Sequence, residues 1–483
     1  MDTNNDDLEV TSGAATPQMT ADAGAAQAFS RRWAGRLLHD HSTNSWLEFD
    51  GVRWARDETG RIMQHGLEVS NFMLGEATAL LSRAAIERDA RTQRELKQQS
   101  DLAGAAAVQL HKKPRLDAMI QLAASDPRIA TTRSAFDPDD MILGVHNGVI
   151  ELRSGAARRA RPEDMVTRQA GAAFYPDAAC PTWDTFLNRV QPDPEVRRWL
   201  QRWAGYCLTG DTSQQQLTVF HGAGANGKTV FSETVKTLLG TYAVTADFSS
   251  FIAREQKGDS IRNDLARLDK VRLVVASEGA EGARLDEDLV KCVTGGEKIT
   301  ARFLHREFFE FRPRFKLLLV TNHRPTIVGT DPGIWRRVVL VPWPVTIPRC
   351  EQDRGLAARL EHELPGILNW ALSGLAEFQR GGLDDLPATI AVANEMYRKD
   401  SDDIGAWIED ACDLGAALRA SANAIYASYA AWASASGHRA MSARALGDRL
   451  RGRGLAQCRM PDARGSRGWL GIAPRSPSDV RLD

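Results

Sequence analysis

The sequence lacks the features of disulfide-bonded, zinc-binding or membrane-spanning proteins. Its six cysteines are scattered, with no Cys-x-x-Cys pair and no Cys/His cluster, which argues against a zinc site and a disulfide framework. No apolar run approaches the ~20 residues of a membrane span, and the N-terminus has no basic region followed by an apolar one. We therefore expect a cytoplasmic protein with no membrane partner.

The chain also lacks a strong net charge. Its formal net charge is −1, so no global basic field indicates a nucleic-acid partner, and local basic patches would have to bind one. The length of 483 residues is enough for about three domains.

The most informative stretch runs from Leu217 to Gly240, where LTVF precedes HGAGANGKT and an apolar pattern of helical spacing follows. This is the strand, loop and helix of a G-x-x-x-x-G-K-T phosphate-binding motif. Its backbone N–H groups would wrap a triphosphate, while Lys228 reaches the β and γ phosphates and the Thr229 hydroxyl binds Mg²⁺. We predict that ATP and Mg²⁺ are the cofactors. The loop has glycine at positions 222, 224 and 227 because a Cβ there would obstruct the wrap around the phosphates or because φ must be positive. The predicted nucleotide-binding residues are Gly222, Ala223, Gly224, Ala225, Asn226, Gly227, Lys228, Thr229 and Val230. The alternative is a chance glycine-rich turn.

Three continuous apolar runs follow and predict an open, parallel α/β sheet, with ligands beyond the carboxyl ends of the strands. They are VRLVVAS (Val271 to Ser277), KLLLVTN (Lys316 to Asn322) and VVLVPW (Val338 to Trp343). Glu278 follows the first run and is predicted to hold Mg²⁺, directly or through water, or to polarise the attacking water. Asn322 ends the second and is predicted to contact the γ-phosphate or the water. A solvated side chain at a strand end is the alternative for each.

Two further features suggest that the protein acts on a polymer with a phosphate backbone. Arg336 and Arg337 precede the third run and are candidates to neutralise charge at a neighbouring subunit's γ-phosphate, with surface salt bridges as the alternative. Alternating residues predict strands over 299–303 and 308–311, with Leu304, His305 and Arg306 at the tip. A basic hairpin tip suits gripping a phosphate backbone, although a plain surface hairpin has the same pattern.

The flanking segments predict separate regions. Residues 1–28 have almost no large apolar side chains and predict a disordered tail, and residues 29–140 predict a small α+β or helical region with a hairpin at Asp50-Gly51. Residues 388–483 form a separate domain whose last part, from Gly437, holds ten arginines against four acidic residues. A helix, a second helix and a basic ribbon resemble a winged helix, in which Arg444, Arg449, Arg451 and Arg453 would touch DNA. A basic face closing the ATPase domain is the alternative.

Together these motifs resemble the superfamily 3 DNA helicases, and among them the phage and plasmid primase–helicases that include the poxvirus enzymes. The similarity covers about residues 140 to 345 and lies in NGVIELRSG, CPTWDTFL, GYCLTGDTSQQ, GAGANGKT, VVASE, VTGGEKITARFLHREFFEF, VTNHRP and DPGIWRRVVLVPW. The resemblance implies an AAA+-like P-loop domain (216–380) behind a helical collar (141–215), assembled as a homo-hexamer that moves 3′ to 5′.

The resemblance also implies roles for individual residues. Gly222 to Thr229 would be the Walker A loop, Glu278 the Walker B acid, Asn322 the first sensor, and Arg337 with Arg336 the arginine finger. Single-stranded DNA would be bound by Lys298, Arg302, His305 and Arg306. Ser277 stands where many members have a second acid, and the segment before residue 140 shows no acidic triad, which argues against priming activity.

We therefore expect an ATP-dependent replicative helicase of a phage, plasmid or mobile element in a bacterial host cytoplasm. Its partners would be single-stranded and forked DNA, with origin DNA and a separate primase as further candidates. The alternative is an ATP-switched initiator or loader that binds DNA without translocating. A small-molecule kinase with the same loop fits the paired arginines and the basic C-terminal segment less well.

Overall fold

The computed structural model describes residues 22–253, 263–277, 282–303, 307–328, 331–438, 440–461 and 465–475. The chain forms two compact units that divide between Phe174 and Tyr175. Within the described residues, no helix combines the length and the apolarity needed to cross a bilayer.

The first unit combines a small sheet with a helical layer. Its first elements are α1 (Asp22–Trp33), β1 (Leu37–Asp40), β2 (Ser45–Phe49), β3 (Trp54–Arg56), α2 (Arg61–Ile86), α3 (Ala90–Leu110), α4 (Lys113–Ala123) and β4 (Ala130–Thr131). The sheet order is β3-β2-β1-β4, and the pair Phe49 and Trp54 closes the predicted hairpin over Asp50-Gly51. Trp33 and Trp54 are buried, so these tryptophans form a core rather than a base-stacking platform.

Helix α1 differs from the prediction of a tail up to residue 28. Residues 22–28 form the first part of this helix, and the Ala25 and Ala26 side chains are buried against the same core as Phe29. Large apolar side chains are unnecessary here because small alanines allow the helix to pack closely. Residues 1–21 lie outside the described residues.

The rest of the first unit is a three-stranded antiparallel sheet of β5 (Ile142–Val145), β6 (Gly148–Glu151) and β7 (Ala156–Arg158). The predicted Asn147-Gly148 turn joins β5 to β6. Gly148 has φ 149°, and a Cβ there would lie 2.3 Å from the carbonyl oxygen of Arg158, so this turn requires glycine.

A five-stranded parallel sheet organises the second unit. Its elements up to the sheet's last strand are α5 (Pro181–Val190), α6 (Pro194–Cys207), β8 (Leu217–His221), α7 (Lys228–Leu239), β9 (Ala243–Asp247), α8 (Asn263–Ala266), β10 (Leu273–Ser277), α9 (Glu287–Thr294), β11 (Ile299–Ala301), β12 (Phe309–Phe311), β13 (Lys316–Thr321), α10 (Pro332–Trp335) and β14 (Val338–Pro342). The strand order is β14-β8-β13-β10-β9. The three predicted apolar runs are β10, β13 and β14, and their side chains are almost all buried.

Helices pack on this sheet, and a hairpin lies between strands β10 and β13 in the sequence. Strands β11 and β12 pair antiparallel with Ile299 opposite Phe311, which confirms the predicted hairpin. The predicted apolar face of α7, with Phe231, Val235 and Leu238, is fully buried. Helices α11 (Leu356–His362), α12 (Leu364–Gly381) and α13 (Ala388–Asp400) follow the sheet.

The C-terminal part has the order helix, strand, helix, helix, strand, strand. These elements are α14 (Asp403–Ala411), β15 (Cys412–Ser421), α15 (Ala422–Ala435), α16 (Ala443–Gly452), β16 (Ala456–Arg459) and β17 (Arg467–Pro474). The strands form an antiparallel sheet in the order β15-β17-β16, around a core that includes Trp407, Tyr429 and Trp469. As the sequence predicts, Ser442 caps α16 by accepting a hydrogen bond from the Ala445 N–H.

Candidate functional site

The glycine-rich loop between β8 and α7 has a backbone that explains two of its three glycines. A Cβ on Gly222 would lie 2.4 Å from the carbonyl oxygen of Trp343. Gly227 has φ 86°, and a Cβ there would lie 2.6 Å from Val190 Cγ1. Gly224 meets nothing within 4 Å and has no positive φ, so the protein itself gives no steric reason for this glycine.

Asn226 stabilises the loop through buried hydrogen bonds, although it occupies one of the x positions of the G-x-x-x-x-G-K-T motif. Its side chain is buried, and its amide donates to the carbonyl oxygens of Ala223 and, at 3.4 Å, of Trp343. The N–H of Ile347 donates to the Ala225 carbonyl at 2.7 Å. The loop shape is therefore fixed by the chain beyond β14, a contact that motif spacing could not reveal.

The loop ends at the N-terminus of α7, where donors are available for an anion. Gly227 is the N-cap residue and has no side chain to cap the helix, and the Lys228 N–H donates to Asn226 Oδ1 at 3.4 Å. The next N–H groups, those of Thr229 and Val230, can serve a ligand, and the helix dipole adds positive charge at the same place. This arrangement suits phosphate groups.

An aromatic cluster supports the loop from the interior. Phe220 on β8 and Phe231 on α7 lie 5.6 Å apart edge to face, and both contact Trp343. Trp203 packs on Phe220 and donates its indole N–H to Thr218 Oγ1 at 2.9 Å. Because these rings are almost completely buried, the strand and the helix on either side of the loop are held rigidly.

Lys228 and Asn322, predicted to act together, are in contact. The Lys228 ammonium donates to Asn322 Oδ1 at 3.0 Å and to the carbonyl oxygen of Gly222 at 2.5 Å. The lysine is 4% exposed, and burial lowers the pKa of its ammonium. In this structure the ammonium is bonded to the entrance of its own loop, so a phosphate would have to replace these acceptors.

Strand register brings the remaining candidates to the same edge of the sheet. Thr321 pairs with His221, and Ser277 pairs with Val320, so the residues after β8, β10 and β13 share the carboxyl edge. Glu278 follows Ser277 directly, but its own placement lies outside the described residues. Thr229 is exposed, and its hydroxyl oxygen is the kind of ligand that Mg²⁺ takes.

Arg336 and Arg337 lie at the opposite edge of the sheet. The residue after Arg337, Val338, pairs with Leu217 at the start of β8, whereas the loop follows His221 at its end. Four residue steps of a strand separate these ends by ~13 Å. Neither arginine is therefore placed to reach the loop of its own chain.

The two arginines, which the resemblance predicts to act together, differ in exposure. Arg337 is 9% exposed and donates to the Gly333 carbonyl at 2.6 Å and to Gln215 Oε1 at 3.3 Å. Burial lowers the pKa of its guanidinium, and the positive charge of the neighbouring Arg336 lowers it further. Arg336 is exposed. Arg337 is thus buried and bonded within its own chain, whereas Arg336 donates to the same Gln215 oxygen at 3.4 Å but keeps its side chain exposed.

The hairpin carries basic and aromatic side chains near its tip. Lys298 pairs with Glu310 at 3.4 Å, and the Arg302 guanidinium lies 4.9 Å from the ring centre of Phe308. Phe303 is 37% exposed and Phe308 59% exposed, an aromatic component that the prediction did not include. His305 and Arg306 lie outside the described residues.

The predicted DNA-binding arginines of α16 do not all face solvent. Arg449 is partly buried and donates to the Val328 carbonyl, so it points into the protein, contrary to the prediction. Burial lowers its pKa. Arg451 pairs with Asp448 and Arg453 pairs with Asp402, which leaves Arg444 as the exposed one without a side-chain partner among the described residues.

Comparison with known proteins identifies related sequences. The model described as "D5 N terminal like" matches residues 26–192, and the model described as "Family of unknown function (DUF5906)" matches residues 220–337. The chain is 26% identical over 317 residues to a provisionally named helicase of Acanthamoeba polyphaga mimivirus, covering 64% of this chain and 32% of that protein.

Other viral proteins are similar over shorter stretches. A provisionally named helicase of Frog virus 3 is 25% identical over 278 residues, 44% of this chain and 29% of that protein. A provisionally named primase of African swine fever virus is 23% identical over 211 residues, 42% of this chain and 22% of that protein. The chain thus spans about a third or less of these relatives. The solved C-terminal region of NrS-1 aligns with a TM-score of 0.43 at 10% identity, over 77% of this chain and 76% of that one.

Proposed function

Because the chain is a superfamily 3 primase–helicase-like protein, we propose that it is an ATP-driven replicative DNA helicase. The observation that carries the proposal is the contact between Lys228 and Asn322 at the edge of the sheet where Glu278 follows β10. This edge brings together an amine that suits phosphate and an amide that can orient water, and Glu278 follows the neighbouring strand in the sequence. An amine, an amide and a carboxylate are parts of a hydrolytic phosphoryl-transfer site. Translocation from 3′ to 5′ and assembly as a hexamer belong to the same proposal.

Each residue has a task in ATP hydrolysis. The N–H groups of the loop and the N-terminus of α7 bind the β and γ phosphates, and Lys228 moves from the Gly222 carbonyl to the γ-phosphate. Thr229 and Glu278 would hold Mg²⁺, which neutralises phosphate charge. Asn322 orients the attacking water through its amide.

The direct test is unwinding of a forked duplex by the Lys228→Ala variant. We expect ATP hydrolysis and strand separation to be lost while the protein remains folded, because the substitution removes the charge that faces the phosphates. Unwinding at the wild-type rate would refute the mechanism. The thermal melting curve without nucleotide provides the folding control.

We propose that Arg336 acts on the nucleotide of the neighbouring subunit. Lys228→Ala and Arg336→Ala proteins, each inactive alone, should regain part of the ATPase activity when mixed, because some interfaces then combine an intact loop with an intact arginine. An arginine acting within its own chain would give no recovery. Arg337→Ala is the control and should lower the melting temperature, because its side chain is buried.

An ATP-switched initiator is the second candidate, favoured by the C-terminal part. Its helix, strand, helix, helix, strand, strand order supports a winged-helix-like fold, which would let it recognise duplex DNA at an origin. Replacing His305 and Arg306 by alanine separates the two functions. A helicase should lose unwinding and keep ATP binding, whereas an initiator should keep origin binding and its ATP response.

A further inference from the structure

The ribbon formed by β16 and β17 places two arginines directly opposite each other. Arg459 pairs with Arg467 in the antiparallel register, and both side chains are exposed. Directly opposed residues share one face of a ribbon, with Cβ atoms roughly 5 Å apart, and like charges in that position are destabilising. The pair is therefore unfavourable for the protein unless an anion binds between the two guanidinium groups.

Neither arginine has a carboxylate to neutralise it in the part of the chain that the structure describes. Arg451 and Arg453, by contrast, pair with Asp448 and Asp402. Aspartates thus neutralise two arginines at the end of α16, whereas the opposed arginines of the ribbon stay exposed.

The core fixes where the pair lies. Trp469 is two residues beyond Arg467, on the same side of β17, and it is 4% exposed within the C-terminal core. Since Arg467 is exposed and Trp469 is buried, the two arginines stand where the ribbon leaves the core. A long ligand can approach this end of the ribbon without disturbing the packed tryptophan.

We propose that Arg459 and Arg467 form a phosphate clamp that binds the backbone of duplex DNA. The proposal rests on the proposed function, because the ligand is taken from the DNA substrate of a replication protein. It moves the main backbone contact from α16, where Arg449 faces inward, to the ribbon. A clamp of two guanidinium groups contacts phosphates and positions the protein without selecting bases.

Salt dependence of binding tests the clamp quantitatively. Each phosphate contact contributes about 0.9 to the slope of log affinity against log salt concentration on B-form DNA. The Arg459→Ala/Arg467→Ala protein should therefore lose about 1.8 from the slope, equally for duplexes of unrelated sequence. The measurement is fluorescence anisotropy of a labelled short duplex with the full chain at several salt concentrations.

Three variants make the result specific. Arg475→Ala is the matched control, since this exposed arginine of the C-terminal part is paired with Asp413, and it should leave the slope unchanged. The Arg459→Lys/Arg467→Lys protein should retain the slope, because lysine also binds phosphate. Lys228→Ala should keep duplex binding in the absence of nucleotide while it loses ATPase activity, so the clamp and the proposed function can fail separately.

Several outcomes would overturn the clamp. An unchanged slope in the double alanine variant would do so, as would a loss confined to one DNA sequence, which indicates base recognition. Loss of binding to labelled poly-glutamate with unchanged duplex binding would assign the pair to an acidic protein partner instead. Melting curves of every variant confirm that the C-terminal core is intact.

Discussion

Replacing Gly227 by alanine should damage the glycine-rich loop in two ways, through backbone strain and through overpacking. The residue has φ 86°, a region that costs a residue with a Cβ roughly 1–2 kcal/mol. The new Cβ would also lie 2.6 Å from Val190 Cγ1 and 3.1 Å from Phe186 Cε2. Overpacking of this kind typically costs about 1–3 kcal/mol, so we expect a total loss of about 2–5 kcal/mol.

Two measurements follow from this estimate. If the loop keeps its shape, the melting temperature without nucleotide should fall by at least about 4 °C. If the loop shifts to relieve the strain, its N–H groups move away from the phosphates and the affinity for a fluorescent ATP analogue falls instead. Both effects together are also consistent with the geometry, because strain can be relieved in part.

Gly224→Ala is the matched control in the same loop. This glycine has open space around it and no positive φ, so the melting temperature should not change. A loss of ATP-analogue affinity in this variant would indicate that the triphosphate passes over Gly224. A Gly227→Ala protein that matches the wild type in both melting temperature and nucleotide affinity would refute the expected strain.

Three further predictions concern packing, contacts between elements and pH. Gly205→Ala should lower the melting temperature, because a Cβ there would lie 2.1 Å from the Leu375 N atom where α6 crosses α12, whereas Gly75→Ala, with nothing within 4 Å, should raise it slightly. Arg449→Ala should loosen the C-terminal part and increase proteolysis near Val328 under native conditions, because a charged hydrogen bond worth about 1.5–3 kcal/mol is lost, whereas Arg444→Ala should not. Burial alone would raise the pKa of Asp164, but hydrogen bonds from Arg158 and the Arg161 N–H hold it below its usual value. The stability that these hydrogen bonds give to the ionised carboxylate is present above the unfolded pKa of about 4 and is lost as pH falls through the lower folded pKa. Asp164→Asn should therefore destabilise the first unit at pH 7, and the free energies of unfolding of the variant and the wild type should converge in acid, as measured by chemical denaturation.

The features predicted correctly from the sequence are those that local physics determines. The three apolar strands and the hairpins at Asp50-Gly51 and Asn147-Gly148 each depend on residues within one short stretch. A continuous apolar run favours burial on both faces, and the glycine of each hairpin adopts a positive φ that other residues rarely take. Such features need no knowledge of distant residues.

The features missed depend on contacts far apart in the sequence. Strand β9 lies at the sheet edge and is only partly buried, so AVTAD gives no apolar run to recognise. The direction of Arg449 is set by a carbonyl 121 residues away. Arg337 is likewise buried by Gln215, which precedes the sheet. A basic residue in a sequence does not indicate whether its charge will be used inside the protein or at its surface.

The segment from Asn322 to Val328 connects the nucleotide loop to the C-terminal part. Asn322 contacts Lys228, and Val328 accepts the hydrogen bond from Arg449 on α16. Between them, the backbone of Thr326 hydrogen-bonds to residues 283 and 285, a few residues beyond Glu278. The first residue of this seven-residue segment contacts Lys228 and the last contacts Arg449. A shift of Asn322 towards a bound phosphate would therefore be resisted at Arg449. Weakening that contact should therefore alter nucleotide affinity as well as the stability of the C-terminal part, an effect that a purely surface arginine could not have.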